Sequence, residues 1–250
     1  MAQASEKYVL RLADNILILG QRLGEWCGHG PVLEQDIALT NIALDLIGQS
    51  RMLYQYAAEI RNDGSTEDDL AMKRDVFDYY NCLLVEQPNG DWGKTIVRQF
   101  FFDTYHYYLQ EFLVNSSDQR LSEIARKSFK EVAYHAQYSA EWVIRLGDGT
   151  EESHQRVQSS VNDLWTFTGE LFTPDELDRE MQEQGIGPDL DVIAANWNKK
   201  VNEILEIATL QIPEETFMQS GGKQGEHGEY LGFILAELQF MQRAYPDMKW

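Results

Sequence analysis

Cysteine is nearly absent, with two in 250 residues. Cys27 and Cys82 have neither pairing nor metal-ligand spacing, which fits a reducing cytoplasm. Basic residues are also scarce: 21 Lys and Arg stand against 41 Asp and Glu, a formal net charge of −20. Such a surface repels phosphate backbones and anionic lipid headgroups, so neither a nucleic-acid nor a membrane partner is expected. The same scarcity counts against a free-standing acyl-CoA-binding module, whose ligand's phosphates would want a basic cluster. No uncharged stretch reaches the roughly 18–20 residues of a membrane span. Arg11 and Asp14 interrupt the apolar run near the N-terminus, so no signal peptide is expected. No run alternates with period two, so strands are not expected either.

What is present is helical periodicity. Val9, Leu12, Ile16, Leu19, Leu23 and Trp26 form a heptad-like stripe on a first helix, about residues 6–27, broken by turn residues at 28–31. A second runs from about 33 to 61 with Leu39, Ile42, Leu46, Gln49, Leu53, Tyr56 and Ile60 on its stripe. A short acidic helix is expected over 67–84, followed by a tight turn at 86–90. Long helices follow over about 91–114 and 119–146, the latter capped by residues 115–118. Val157, Val161, Leu164, Thr168 and Leu171 mark the next helix. Residues 173–176 read as a capping box with Pro174 in the first helical position. A stripe over 189–210 and a last helix with Leu231, Ile234, Leu238 and Met241 complete the chain. Apolar residues at 43% suffice for one large core, so a single domain over 1–250 is expected. The fold class is all-α: four long helices forming an up-down bundle, with additional C-terminal helices around it.

Several constellations carry little chemistry. Residues 221–225 resemble a phosphate loop only superficially, because no strand precedes them and the Gly-Lys-Ser/Thr ending is missing. They read as a flexible or docking link. His29, His154 and His227 stand near turns and are expected to be exposed. Asp14 and Glu25 fall off the first helix's stripe and read as solvated. The aromatic run Phe100 to Phe102 with Tyr105, Tyr107 and Tyr108 is too dense for one buried stripe, so most of it is expected to be ordinary core and the rest to face outward toward a partner helix. Tyr79, Tyr80 and Trp92 would extend that face.

The chemically informative stretch is 129–138. On a helix, Leu121, Ile124, Ser128, Glu131, His135, Tyr138 and Trp142 share one stripe. A carboxylate and an imidazole one turn apart suggest one wall of a metal site in a bundle. A carboxylate-bridged di-iron centre takes a Glu from each of two helices and a Glu-x-x-His from each of the other two. The helix over 91–114 offers Asp103 and His106, with Gln99 and Gln110 a turn to either side. The next offers Glu131 and His135, spaced i, i+4, and Val132 is the residue three before His135. The first helix offers nothing on its stripe, and the second offers Leu46 and Gln49, neither of which suits iron. Asp45 lies beside Leu46 but one position round the helix. Three readings follow. Asp103, His106, Glu131 and His135 form a hydrogen-bonded polar core cluster in place of a metal, or they hold a single metal on two His and one carboxylate, or they do not meet. Unpaired buried carboxylates are costly, which favours the first.

Residues 21–29, 43–49, 84–90, 142–149 and 220–223 resemble, in order and over nearly the whole chain, the C-subunit family of bacterial ring-1,2-phenylacetyl-CoA epoxidases. The resemblance implies a ferritin-like fold and a multicomponent oxygenase for aerobic phenylacetate catabolism. It further implies a sister A subunit that holds the di-iron centre and binds the CoA ester, and a reductase subunit that delivers electrons from NADPH. In that family the C subunit is the non-catalytic partner, forming a heterodimer with the A subunit and, with it, higher assemblies. The sister's Asp-Glu-Ala-Gly-His motif lies without a gap on residues 45–49, which puts its Glu on Leu46 and its His on Gln49. No catalytic, cofactor-binding or metal residue is carried across. The alternative is an independently active oxygenase with a reduced or mononuclear iron site built from Asp103, His106, Glu131 and His135.

Overall fold

In a computed structural model of the chain, residues 2–214, 216–246 and 248 are described, and no strand occurs among them. The chain divides into two compact units, Met1–Gln87 together with Gly221–Trp250, and Pro88–Ser220.

The first unit is built on α1 (Ala2–Gly24) and α2 (Leu33–Arg61), which pack along each other. A short connection between two long packed helices makes them antiparallel neighbours. The expected stripe on α1 is buried, but so is nearly every other residue from Tyr8 to Leu19. Asp14, expected in solvent, is 0% exposed. Its carboxylate accepts from Tyr54 Oη at 2.6 Å, from the Tyr80 amide at 2.9 Å and from the Arg74 guanidinium. Asn15, on the same side, accepts from the Cys82 amide at 2.8 Å. The polar face of α1 is therefore covered by chain that supplies its hydrogen bonds.

The expected helix over 67–84 is broken into α3 (Glu67–Met72), a 3-10 turn at Val76–Asp78 and α4 (Leu83–Glu86). Thr66 and Asp69 close α3 with a reciprocal capping box. The extended backbone between these pieces lets the Tyr80 and Cys82 amides reach Asp14 and Asn15 of α1. α10 (Glu229–Leu238) and α11 (Phe240–Ala244) end this unit, splitting the single last helix expected from the sequence.

The second unit is organised by α5 (Trp92–Leu113) and α6 (Gln119–Gly147), again a tightly connected pair. Asp91 caps α5 by accepting from the Lys94 amide, and Asp118 caps α6 by accepting from the Leu121 amide, both at 2.9 Å. α7 (Glu151–Trp165), α8 (Glu176–Glu183) and α9 (Leu190–Ile207) complete it. The capping box of α8 lies two residues beyond the expected one: Asp175 and Asp178 exchange side-chain and amide bonds at 2.9 and 3.1 Å.

The aromatic run on α5 turns inward. Phe100, Phe101 and Phe102 are at most 1% exposed. Phe101 meets Trp165 edge-on at 5.6 Å and Trp197 at 5.8 Å, and the Trp197 indole donates to the Phe101 carbonyl at 2.8 Å. α7 and α9 supply the second and third apolar walls that one stripe could not, so the density of aromatics reflects burial on several sides. Tyr105 is buried as well, Tyr107 and Tyr108 are part-exposed, and Tyr79 is wholly buried in the first unit. The run is therefore core for the most part, with Tyr107 and Tyr108 at its outer edge.

Candidate functional site: a buried polar cluster on α5 and α6

The buried line along α6 runs through Leu121, Ala125, Ser128, Val132, His135, Ser139 and Val143. It departs from the expected stripe at four places: Ala125, Val132, Ser139 and Val143 stand where Ile124, Glu131, Tyr138 and Trp142 were expected, although Ile124 is buried as well. Both spacings satisfy a 3.6-residue period, and the apolar Val132 wins the enclosed place because it needs no partner there. Glu131 and Tyr138 are part-exposed.

Asp103, His106 and His135 are 0%, 2% and 0% exposed. Gln99, one turn before Asp103, donates from Nε2 to Asp103 Oδ1 at 2.6 Å. Gln110, one turn after His106, places Nε2 at 3.0 Å from His106 Nε2. With the amide as donor, His106 carries its own proton on Nδ1. Ser139, absent from the stripe expected from the sequence, donates to the His135 carbonyl at 3.0 Å and lies near enough to the Asp103 carboxyl to favour its charged form. His106 and His135 lie close enough to influence each other's charge. The structure thus joins Asp103 to Gln99, and His106 to Gln110, in one enclosed region of the second unit. Glu131 keeps part of its surface in solvent.

The electrostatics of the cluster follow from its enclosure. Burial pushes the Asp103 carboxyl up to about 7, with the Ser139 hydroxyl and the Gln99 hydrogen bond acting in the opposite direction. Burial, helped by His135, pushes His106 down to about 3. Both groups are held toward their neutral forms. Asp103 Oδ2, His106 Nδ1, Gln99 Oε1 and Gln110 Oε1 are buried with no hydrogen-bond partner among the described residues. Ser139→Ala is expected to move the Asp103 carboxyl further up, as read by carbon NMR of labelled aspartate across the titration. An unchanged value would mean that the hydroxyl is committed to the His135 carbonyl alone.

Neither a di-iron nor a mononuclear iron centre suits these groups. Hard cations want ionised carboxylates, and Asp103 is driven toward the neutral acid. The Nε2 atom of His106 already faces an amide donor. No group of three or more His, Cys, Asp and Glu side chains among the described residues could hold a metal ion. On α2, Leu46 is 0% and Gln49 2% exposed. Leu46 Cβ sits 3.3 Å from where a side chain on Gly20 of α1 would begin, so the position is filled by packing. These residues do not fit the group.

Elsewhere, His29 is exposed, as expected from the sequence, and His154 is part-exposed with Nδ1 at 2.7 Å from the Gly147 carbonyl. His227, also expected to be exposed, instead has a side chain only 2% exposed, against the fully buried Glu86 carboxylate. Glu86 lies 141 positions away, so local spacing gave no signal. Among the described residues no helix is long and apolar enough to cross a membrane.

Comparison with known proteins agrees with the architecture. The family model described as phenylacetic acid catabolic protein matches residues 1–250. A curated protein of Escherichia coli (strain K12), named as the C subunit of 1,2-phenylacetyl-CoA epoxidase, is 49% identical over 243 residues, covering 97% of this chain and 98% of that protein. With its all-α, ferritin-like fold, the chain belongs to the phenylacetic acid catabolic protein family.

Proposed function

We propose that this chain is a non-catalytic structural subunit of a multicomponent di-iron oxygenase that epoxidises phenylacetyl-CoA. It pairs with and stabilises the metal-bearing A subunit, acting as one ferritin-like domain over residues 1–250 in the cytoplasm. The di-iron centre belongs to that partner, and electrons from NADPH reach it through a reductase subunit. The relative named as the C subunit of a phenylacetyl-CoA epoxidase supports the complex and the substrate. The observation that carries the non-catalytic role is the state of the cluster: Asp103 and His106 are held toward neutrality, while Leu46 and Gln49 stand at buried places on α2. The bonds within the cluster, Gln99 to Asp103 and Gln110 to His106, each run along α5, so it fills the enclosed space with neutral polar groups and offers no charged donor set to a metal.

Two measurements test the reading. Iron analysis of the chain purified alone should find far less than one iron per chain. Co-expressed with the A subunit, the chain should elute with it as one species at micromolar concentration. Stoichiometric iron that disappears in His106→Ala and His135→Ala would transfer the chain to the independently active class. Separate elution of the two chains would remove the scaffold role.

A further inference from the structure

The Gly-rich segment 221–228, which the subunit reading leaves without a task, is fastened within the first unit by contacts that require glycine. A Cβ on Gly222 would collide with the Asn81 carbonyl oxygen. Gly225 has φ +86°, and a Cβ there would lie 2.5 Å from the Phe77 carbonyl oxygen. The segment therefore lies with its backbone directly on residues 77–83. At its end stands His227. Nδ1 is 3.0 Å from Glu86 Oε2, and Nε2 is 2.9 Å from the Tyr79 carbonyl oxygen. Both partners are acceptors. A neutral imidazole has one N–H, so its other nitrogen would point a lone pair at an oxygen; only the imidazolium satisfies both contacts. Glu86 is shaped for the same task, accepting from the Gly228 amide at 2.7 Å and from Asn81 Nδ2 at 3.2 Å.

We propose that His227 is a proton-operated latch: as an imidazolium it clamps residues 221–228 onto residues 77–86, and its deprotonation lets that segment open. The charged surroundings favour this assignment. Glu86 on α4 and Asp14 on α1 are the carboxylates whose fields reach the ring. Arg22 on α1 donates to the Glu86 carbonyl at 3.2 and 2.7 Å, and Arg11 on α1 donates to the Lys223 carbonyl at 3.4 Å. The Tyr79 phenol donates to the Ala71 carbonyl, and Lys223 and Glu226 complete the ionisable groups of the segment itself. Burial alone would lower the imidazole; the Glu86 hydrogen bond, then the Tyr79 carbonyl, outweigh it and leave His227 raised above its ordinary value. A raised imidazole makes the latch complete below the ordinary histidine range and loses it as pH climbs through the raised value. Opening stays local, since Leu231, Ile234 and Leu235 of α10 are buried independently of the ring.

The test uses the full-length chain and the five histidines as probes. Carbon-labelled histidine NMR should show one ring titrating above the others, and that resonance should vanish in His227→Gln. Hydrogen exchange, corrected for the intrinsic pH dependence, should show protection across 221–228 falling by about tenfold or more through the same pH interval. Protection across 92–147 should stay level. His227→Gln should leave the segment open at every pH. Should that variant fail to fold, Glu86→Gln offers a second test, lowering the His227 titration and moving the exchange step down with it. A His227 that titrates at or below the ordinary histidine value would overturn the latch. So would protection indifferent to the titration, or a step that stays put in Glu86→Gln.

Discussion

Asp103→Asn is expected to stabilise the chain by about 2–4 kcal/mol at pH 8 and by little at pH 4, measured by denaturant unfolding at each pH. The sign follows from linkage. Asp103 is raised to about 7 in the folded chain, well above its unfolded value. Between those two values the native state holds a proton that the unfolded state has released, so stability falls as pH rises. About three units at 1.36 kcal/mol each set the upper end of the range; the lower end allows for an Asn amide that lacks a second acceptor. His106 works the other way. Lowered to about 3, it stays neutral in the native state while the unfolded imidazole charges, so its contribution falls as pH drops below the ordinary histidine value. From about pH 4 to 6.5 the two slopes oppose each other and nearly cancel. Removing one partner exposes the other: Asp103→Asn should acquire a stability that rises with pH across that window, and His106→Gln one that falls. Parallel, flat profiles in wild type and both variants would show that the two groups are not enclosed as described.

The second large effect is a loss. Arg74→Met should destabilise the chain by about 3–5 kcal/mol, the range for stripping one partner from a buried ion pair. Asp14 is fully buried, and Arg74 brings two guanidinium nitrogens to it. The same guanidinium lies 4.2 Å from the Tyr79 ring centre and 5.6 Å from that of Tyr54, and donates to the Asp78 carbonyl at 2.7 Å. Methionine keeps much of the stacking volume but leaves the Asp14 charge with only Tyr54 and the Tyr80 amide. Adding Asp14→Asn to Arg74→Met should therefore restore part of the loss, because no uncompensated charge remains. Thermal unfolding of the single and double variants decides it; additive losses would mean that the pair is not coupled.

These two cases also show what the sequence could and could not disclose. The spans of α2, α5 and α6 were readable within a few residues because a helix is written locally, in its apolar period and in caps such as Asp91 and Asp118. The fold class was readable for the same reason. Around Asp14 the reading failed, since the residue that neutralises it lies 60 positions later and nothing in the spacing announces the pairing. The segment 67–84 failed for a related cause: its backbone leaves the helix to serve α1, a tertiary demand that overrides local propensity. Within the site, the burial of Asp103, His106 and His135 followed from their register, whereas Val132 and Ser139 took the places expected of Glu131 and Tyr138. A 3.6-residue period does not distinguish a step of three from a step of four, and only the neighbouring helix decides. Ser139 stands four residues beyond His135, within reach of a reading that followed both steps.

The interruption of the first unit by the second has a consequence for the order in which a nascent chain can finish folding. Residues 88–220 emerge as an unbroken stretch and can close as soon as they leave the ribosome. The opening segment cannot: Glu86 and the Asn81 carbonyl must wait for Gly222, His227 and Gly228, which are translated more than a hundred codons later. Throughout that interval α1 carries an apolar surface whose final cover has not yet been synthesised, which leaves the earliest-made helix as the last to be sealed.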